Sequence, residues 1–279
     1  MSLSSNWKNI HIPHSPTLIM GILNVTTDSF SDGGQFFDSG IAINHALEME
    51  AAGADIIDIG GESTRPGAEP VLLEDELNRV IPVIEAIRSE SDVCVSIDTY
   101  KADVAEKAIT AGANIINDIS GLQFDKSMAD VVKNNNVPVV IMHIKGTPRE
   151  MQKDPHYDDL MQEVVAYFQE RVEFCRQRGI KKGNIILDPG IGFGKRSQDN
   201  FELLRELKQI TDISYPVLSG PSRKSFIGLT LDLPVEERVE GTAAAVTASI
   251  LNGAKIVRVH DVKEMKRVVI ISEKIRTAA

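Results

Sequence analysis

Two cysteines in 279 residues leave no disulfide framework, and neither belongs to a C-x-x-C pair. Cys94 falls inside an apolar strand pattern and reads as a buried, reduced thiol. No apolar run reaches the roughly 18 residues of a membrane span, and no signal-peptide pattern precedes the first apolar run, so a cytoplasmic location is expected. Basic runs are also missing, and the formal charge is -10. That balance argues against nucleic acid or an anionic membrane as partner, while a small anionic substrate stays open if positive charge gathers locally. Nucleotide turns are absent as well. The cluster Gly190-Ile-Gly192-Phe-Gly194-Lys195 fails the P-loop pattern at Pro189 and the dinucleotide pattern at Lys195. Without a G-x-S-x-G turn, Ser222, His260 and an Asp do not make a nucleophile triad. The spacing of His143, Asp154 and His156 matches no standard metal pattern, and His11 and His14 read as part of a loose lead-in.

What is there is alternation. With 42% hydrophobic residues the chain can bury a large core. Short apolar runs at about 17–25, 54–60, 93–99, 114–119, 137–144, 184–188, 216–221 and 255–260 read as strands. Amphipathic stretches at about 39–52, 73–90, 101–111, 125–135, 157–178, 198–209, 235–252 and 262–276 read as helices. Gly53, Gly112, Gly179 and Gly253 stand where C-caps belong, and GADIIDIG, GANIINDI and GAKIVRVH form a weak repeat of C-cap followed by strand. Eight strands alternating with eight helices in a chain of this size predict one (β/α)8 barrel over 17–279, preceded by a lead-in at 1–16. An open doubly wound sheet is the alternative.

In such a barrel the C-terminal ends of the strands carry the chemistry, and here they carry the polar residues. MGILNVTTDSFSDGG turns from buried strand to polar loop at Asn24. Asp58, Asp98, Asn117, Met142, His143, Asp188, Ser219, Arg258 and His260 close the other strands or lie at their ends. Burying so many polar groups without partners costs too much for a purely structural core, which predicts one polar pocket. Asp98, Asn117, Asp188 and Lys224 combine acceptors, an amide and a cationic donor, a mixture that suits a flat nitrogen heterocycle. Arg258 and His260 are two apart and face the same way, so they make a local anion site, with a salt bridge to a nearby carboxylate as the plainer alternative. Asn24 offers one hard oxygen of the type magnesium accepts.

The blocks MGILNVTTDSFSDGG, GADIIDIGGESTRPGA, SIDTYKADVAEKAI, INDISG, MHIKGTPREMQ, ILDPGIGFGK, PVLSGPSRKSFIG and GTAAAVTASILNGAKIVRVHDVKEM resemble those of the dihydropteroate synthase family over nearly the whole length. The resemblance implies a transferase of folate biosynthesis on the same barrel. In that reaction 4-aminobenzoate displaces diphosphate from 6-hydroxymethyl-7,8-dihydropterin diphosphate to give 7,8-dihydropteroate. It places Asp98, Asn117, Asp188 and Lys224 on the pterin ring, with Met142 and Phe193 packed beside it. Asn24, Arg258 and His260 fall on the diphosphate, with magnesium on Asn24. Thr64, Arg65, Ser222 and Lys224 border the aminobenzoate, and Asp28 lies near the methylene carbon. Asp98, Lys224, Arg258 and Asp28 are the expected catalytic residues, and a homodimer is the expected assembly. Thr27 stands where the family has Pro, a change that bears on the aminobenzoate half of the site and on sulfonamide response. A pterin-dependent methyltransferase would need neither the Arg258–His260 pair nor the SGPSRKS loop. A non-catalytic pterin-binding module would be expected to lose Asn24, Arg258 or the loop carboxylates. All of these are present.

Overall fold

The structure, a computed structural model, describes residues 16–25, 39–65 and 67–278. Its strands are β1 (Leu18–Asn24), β2 (Ile56–Gly60), β3 (Cys94–Asp98), β4 (Ile115–Asp118), β5 (Val139–Met142), β6 (Ile185–Asp188), β7 (Leu218–Ser219) and β8 (Ile256–Val259). Every pairing is parallel, in the order β6-β5-β4-β3-β2-β1-β8-β7, and a parallel bridge between Leu187 and Val217 joins the two ends. The sheet is therefore a barrel, which excludes the open doubly wound alternative.

Helices α1 (Ser39–Ala51), α2 (Leu73–Glu90), α3 (Ala102–Ala111), α4 (Met128–Asn135) and α5 (Leu160–Gln177) alternate with the first strands. The second half has α6 (Ser197–Arg205), α7 (Lys208–Thr211), α8 (Ser225–Leu231), α9 (Val239–Leu251) and α10 (Val262–Thr277). Two helices depart from the expected pattern. The stretch expected at 198–209 breaks at Glu206 (φ -100°, ψ 13°) into α6 and α7. The seven residues of α8, with Gly228 at their centre, fall where no helix was expected, and glycine weakens helix propensity there. Tertiary burial overrides it, since Phe226 and Ile227 pack with Ile191, Leu204 and Ala245.

Strand parity separates two cores. Ile19, Ile57, Ile59, Val95, Ile97, Ile116, Ile141 and Val257 point outward into the layer between sheet and helices. Leu18, Met20, Ile56, Cys94, Ile115, Val140, Ile186, Leu218 and Ile256 point inward and pack on one another as a dry floor. One step further along the strands the inward residues become polar.

Candidate active site

Above the floor lies a narrow cleft lined by Thr64, Asp98, Asn117, Ile119, Met142, Asp188, Gly190, Ile191, Phe193, Gly220, Lys224 and Arg258. Eight of the residues singled out from the sequence meet there: Thr64, Asp98, Asn117, Met142, Asp188, Phe193, Lys224 and Arg258. Inward parity explains the convergence. Asp58, Asp98, Asn117, Met142, Asp188 and Arg258 each stand two or four residues beyond a floor residue on the same strand. Gly60 and Gly220 leave room in the middle, where a Cβ would come into ordinary contact with Asp98 (3.5 Å) and Arg258 (3.7 Å).

Asp58 organises this tier. It is fully buried, and its Oδ2 accepts from Arg258 Nε (2.6 Å) and Asn117 Nδ2 (3.0 Å). Arg258 Nη2 reaches Asp98 Oδ2 at 2.7 Å. The sequence reading placed Asp58 on a strand but assigned it no role. Parity was the available signal, because Ile56, Asp58 and Gly60 share one face. The arginine expected as an anion-binding cation is thus gripped by two carboxylates, the plainer alternative, and it lines the cleft at the same time. Burial works to lower its pKa, but Asp58 and Asp98 together outweigh it and raise the pKa, so it stays charged. Asn117 is oriented by the same contact: its nitrogen must face Asp58, which can only accept, and its oxygen is turned the other way.

Burial moves the remaining charges toward neutrality. It pushes Asp98 up to about 7, with Arg258 pulling back and Asp58 adding to the rise. Asp188 rises to about 6, tempered by the Gly190 N–H that its Oδ1 accepts at 2.8 Å. Lys224 falls to about 8 through burial and repulsion from Arg258. Its Nζ lies 4.1 Å from the centre of the Phe193 ring.

The glycine cluster serves close backbone approach. A Cβ on Gly190 would fall 2.0 Å from the His143 carbonyl oxygen, and one on Gly194 would fall 2.5 Å from that of Lys145. Both have left-handed backbone, at φ 66° and 63°. The loop after β6 therefore lies directly on the loop after β5. Lys195 fastens them: its Nζ donates to the carbonyls of Phe193 (2.9 Å) and His143 (3.3 Å) and lies 3.0 Å from His143 Nδ1. A second anchor holds the loop after β2. Lys101 bridges Glu62 and Glu76, and Tyr100 donates to Glu62. These long-range anchors had no signal in the sequence.

The other expected residues border the cleft or stand apart from it. Ser222 Oγ lies 3.0 Å from His260 Nδ1 and accepts the His260 backbone N–H at 3.1 Å. Burial beside Arg258 pushes His260 down to about 3, so its ring is a neutral hydrogen-bonding group and adds no charge to an anion site. The carboxylate a triad would need, Asp261, is bound to Arg223. Arg65 is exposed on the loop after β2. Asn24 ends β1 half-buried. Asp28 and Thr27, like His11 and His14, lie outside the described residues. No three His, Cys, Asp or Glu side chains among the described residues converge to hold a metal. The donor set fits magnesium only as an ion that takes one protein oxygen from Asn24 and the rest from a phosphorylated ligand.

The family model for pterin binding enzymes matches residues 20–260. A dihydropteroate synthase from Clostridium beijerinckii is 52% identical over 252 residues, covering 90% of this chain and 91% of that one. Among solved structures, the dihydropteroate synthase of Yersinia pestis in complex with a sulfonamide drug superposes with a TM-score of 0.90. It is 46% identical, covering 94% of this chain and 95% of that one. The synthase of Xanthomonas albilineans with 4-aminobenzoic acid gives 0.89 at 42% identity, covering 95% of both chains. A polar cleft on a closed parallel barrel, in a chain with relatives of this identity and coverage, leads to one conclusion: the chain belongs to the dihydropteroate synthases, the transferase family of folate biosynthesis.

Proposed function

We propose that this cleft holds the pterin ring of a dihydropterin diphosphate and that 4-aminobenzoate attacks its exocyclic methylene from the loop side. The observation that carries the reading is the convergence of Asp98, Asn117, Asp188, Lys224 and Arg258 on one small cavity. A flat heterocycle with ring N–H, amino and carbonyl groups satisfies each of them. Met142 and Phe193 supply the apolar walls. Three carboxylates, Asp58, Asp98 and Asp188, face two cations, Arg258 and Lys224. That excess of acceptors favours a ring that carries positive charge as the methylene–oxygen bond lengthens. Asp98 both lines the cleft and pairs with Arg258, so charge on the ring and charge on Arg258 share one carboxylate.

Arg258 and the neutral His260 stand side by side at the edge, where the leaving diphosphate would meet one charge and one hydrogen-bonding ring. Magnesium, when bound through Asn24 and the diphosphate, would supply further charge neutralisation. Thr64, Arg65 and Ser222 would border the aminobenzoate, whose nitrogen is free at neutral pH and needs no strong base. Asp28 is assigned to the methylene from the resemblance alone.

A second copy of the chain would cover α9 and α10, where Leu251, Ile270, Ile271 and Ile275 are exposed. Sedimentation of the protein, and of an Ile271→Glu variant expected to be monomeric, tests the dimer. No helix among the described residues is long and apolar enough to cross a membrane, and a cytoplasmic location is the companion proposal. The test of function is diphosphate release with dihydropterin diphosphate, magnesium and 4-aminobenzoate, each omitted in turn. Release that needs all three, with dihydropteroate formed, supports the reading. Tight pterin binding without turnover overturns it in favour of a binding module.

A further inference from the structure

We propose that Arg238, seated over Gly228, is a positioning residue that sets the Ser222–Lys224 turn and through it the aminobenzoate half of the site; the inference rests on the functional reading above. Arg223 is the pivot. Its backbone is left-handed, at φ 56°, a conformation that a residue with a long side chain keeps only when its surroundings hold it. This turn sends the Arg223 side chain out to Asp261 while Lys224 lines the cleft and Ser222 meets His260.

Three contacts hold it. The Arg223 N–H donates to Thr242 Oγ1 at 3.0 Å, its guanidinium grips both oxygens of Asp261, and its carbonyl accepts from Arg238 Nη1 at 3.0 Å. Asp261 follows His260, so Ser222, His260, Asp261 and Arg223 form a closed ring of contacts between the loop after β7 and the end of β8. Arg238 is the member that braces this ring from outside the site. Its Nε and Nη2 donate to the Leu233 carbonyl at 3.1 and 3.0 Å while Nη1 reaches Arg223. Only a rigid fork of several donors can span both carbonyls.

Gly228 makes the seat. A Cβ there would fall 2.2 Å from the Arg238 guanidinium carbon, so any larger residue in the middle of α8 displaces the fork. The glycine that hides α8 from a sequence reading thereby has a physical purpose. The same device can be broken from either end, by removing the fork or by filling its seat.

Arg238→Gln, Gly228→Ala and the double variant of the full chain test this. Both single variants are expected to raise the KM for 4-aminobenzoate about tenfold or more and the Kd for dihydropterin diphosphate by clearly less, because Lys224 is the one member of the turn that lines the pterin cleft while Asp98, Asn117, Asp188 and Arg258 keep their places. The double variant is expected to be no worse than either single, because both changes remove one contact. Hydrogen exchange over residues 222–226 should rise in all three, with the strands of the barrel unchanged. An unchanged aminobenzoate KM overturns the proposal, as do additive effects or a uniform fall in all parameters that tracks thermal stability. Failure of the functional reading looks different. The wild-type protein would not turn over the substrates, and hydrogen exchange over residues 222–226 in the single and double variants would still decide whether Arg238 and Gly228 set the turn.

Discussion

Ile56 and Asp58, Cys94 and Asp98, Ile115 and Asn117, Ile186 and Asp188, Ile256 and Arg258 are pairs on single strands of one barrel, two or four residues apart. The first member of each pair packs in the dry floor, and the second faces the polar tier above it. Backbone, direction and hydrogen bonding are the same for both tiers. The difference lies in what fills the space. The floor is closed by aliphatic side chains and one thiol. The upper tier is left open at Gly60 and Gly220, and its charges bind one another until a ligand arrives. A rigid, inert tier directly beneath the site keeps those charges where they are.

That contrast can be broken most severely at Arg258. Arg258→Met would leave Asp58 and Asp98 buried without their cation. Turnover should fall by about 10²–10³-fold and unfolding free energy by about 3 kcal/mol, read by diphosphate release and urea titration. A variant that kept full turnover would remove Arg258 from the leaving-group role. The floor should respond in the opposite way. Ile115→Ala should cost about 3 kcal/mol of stability through the cavity it leaves, with kcat within about twofold of the parent protein. A large loss of kcat at unchanged structure would show that the tiers are not separable.

The pH profile sharpens the comparison further. With Asp98 raised to about 7 and Asp188 to about 6, kcat/KM for dihydropterin diphosphate should rise with pH toward neutrality as these groups lose their protons. It should fall again above about 8 as Lys224 gives up its charge. Ile115→Ala should keep both limbs, whereas Asp188→Asn should simplify the acid one. A flat profile between pH 5 and 9 would count against these groups acting in their charged forms. The smallest effect belongs to the thiols. Burial pushes Cys94 and Cys175 up to about 12, so a thiol reagent at pH 8 should leave both unmodified in the folded protein and modify both in urea.

Much of this arrangement was legible beforehand, for identifiable reasons. All eight strands fall within the expected runs, because a buried parallel strand must be a short apolar run. The ring of polar residues was legible because burying so many polar groups at the ends of such runs is costly unless they serve a site or find partners. Asp58 was visible and left without a role, although alternation along β2 puts it on the inner face. The partners that set its importance, Asn117 and Arg258, are 59 and 200 residues away. His260 was read as part of a cationic pair, yet its charge depends on burial beside Arg258, which no local pattern records. The Lys195 and Lys101 anchors escaped for the same reason, as did α8, whose glycine speaks against a helix until Arg238 is seen lying on it.

The sequence by itself determined the alternation of strand and helix, the barrel it implies, the mouth as the place of the chemistry and the family that shares the ordered blocks. The first three follow from local propensity, periodicity and spacing, which act over a few residues; the family follows from the resemblance of the blocks. Only the tertiary structure decided which carboxylates hold Arg258, which groups approach neutrality and why the glycines at 190, 194 and 228 are glycines. Those properties arise where distant segments meet inside a low-dielectric interior, and there distance and burial, which the order of residues does not state, set the energy of every charge.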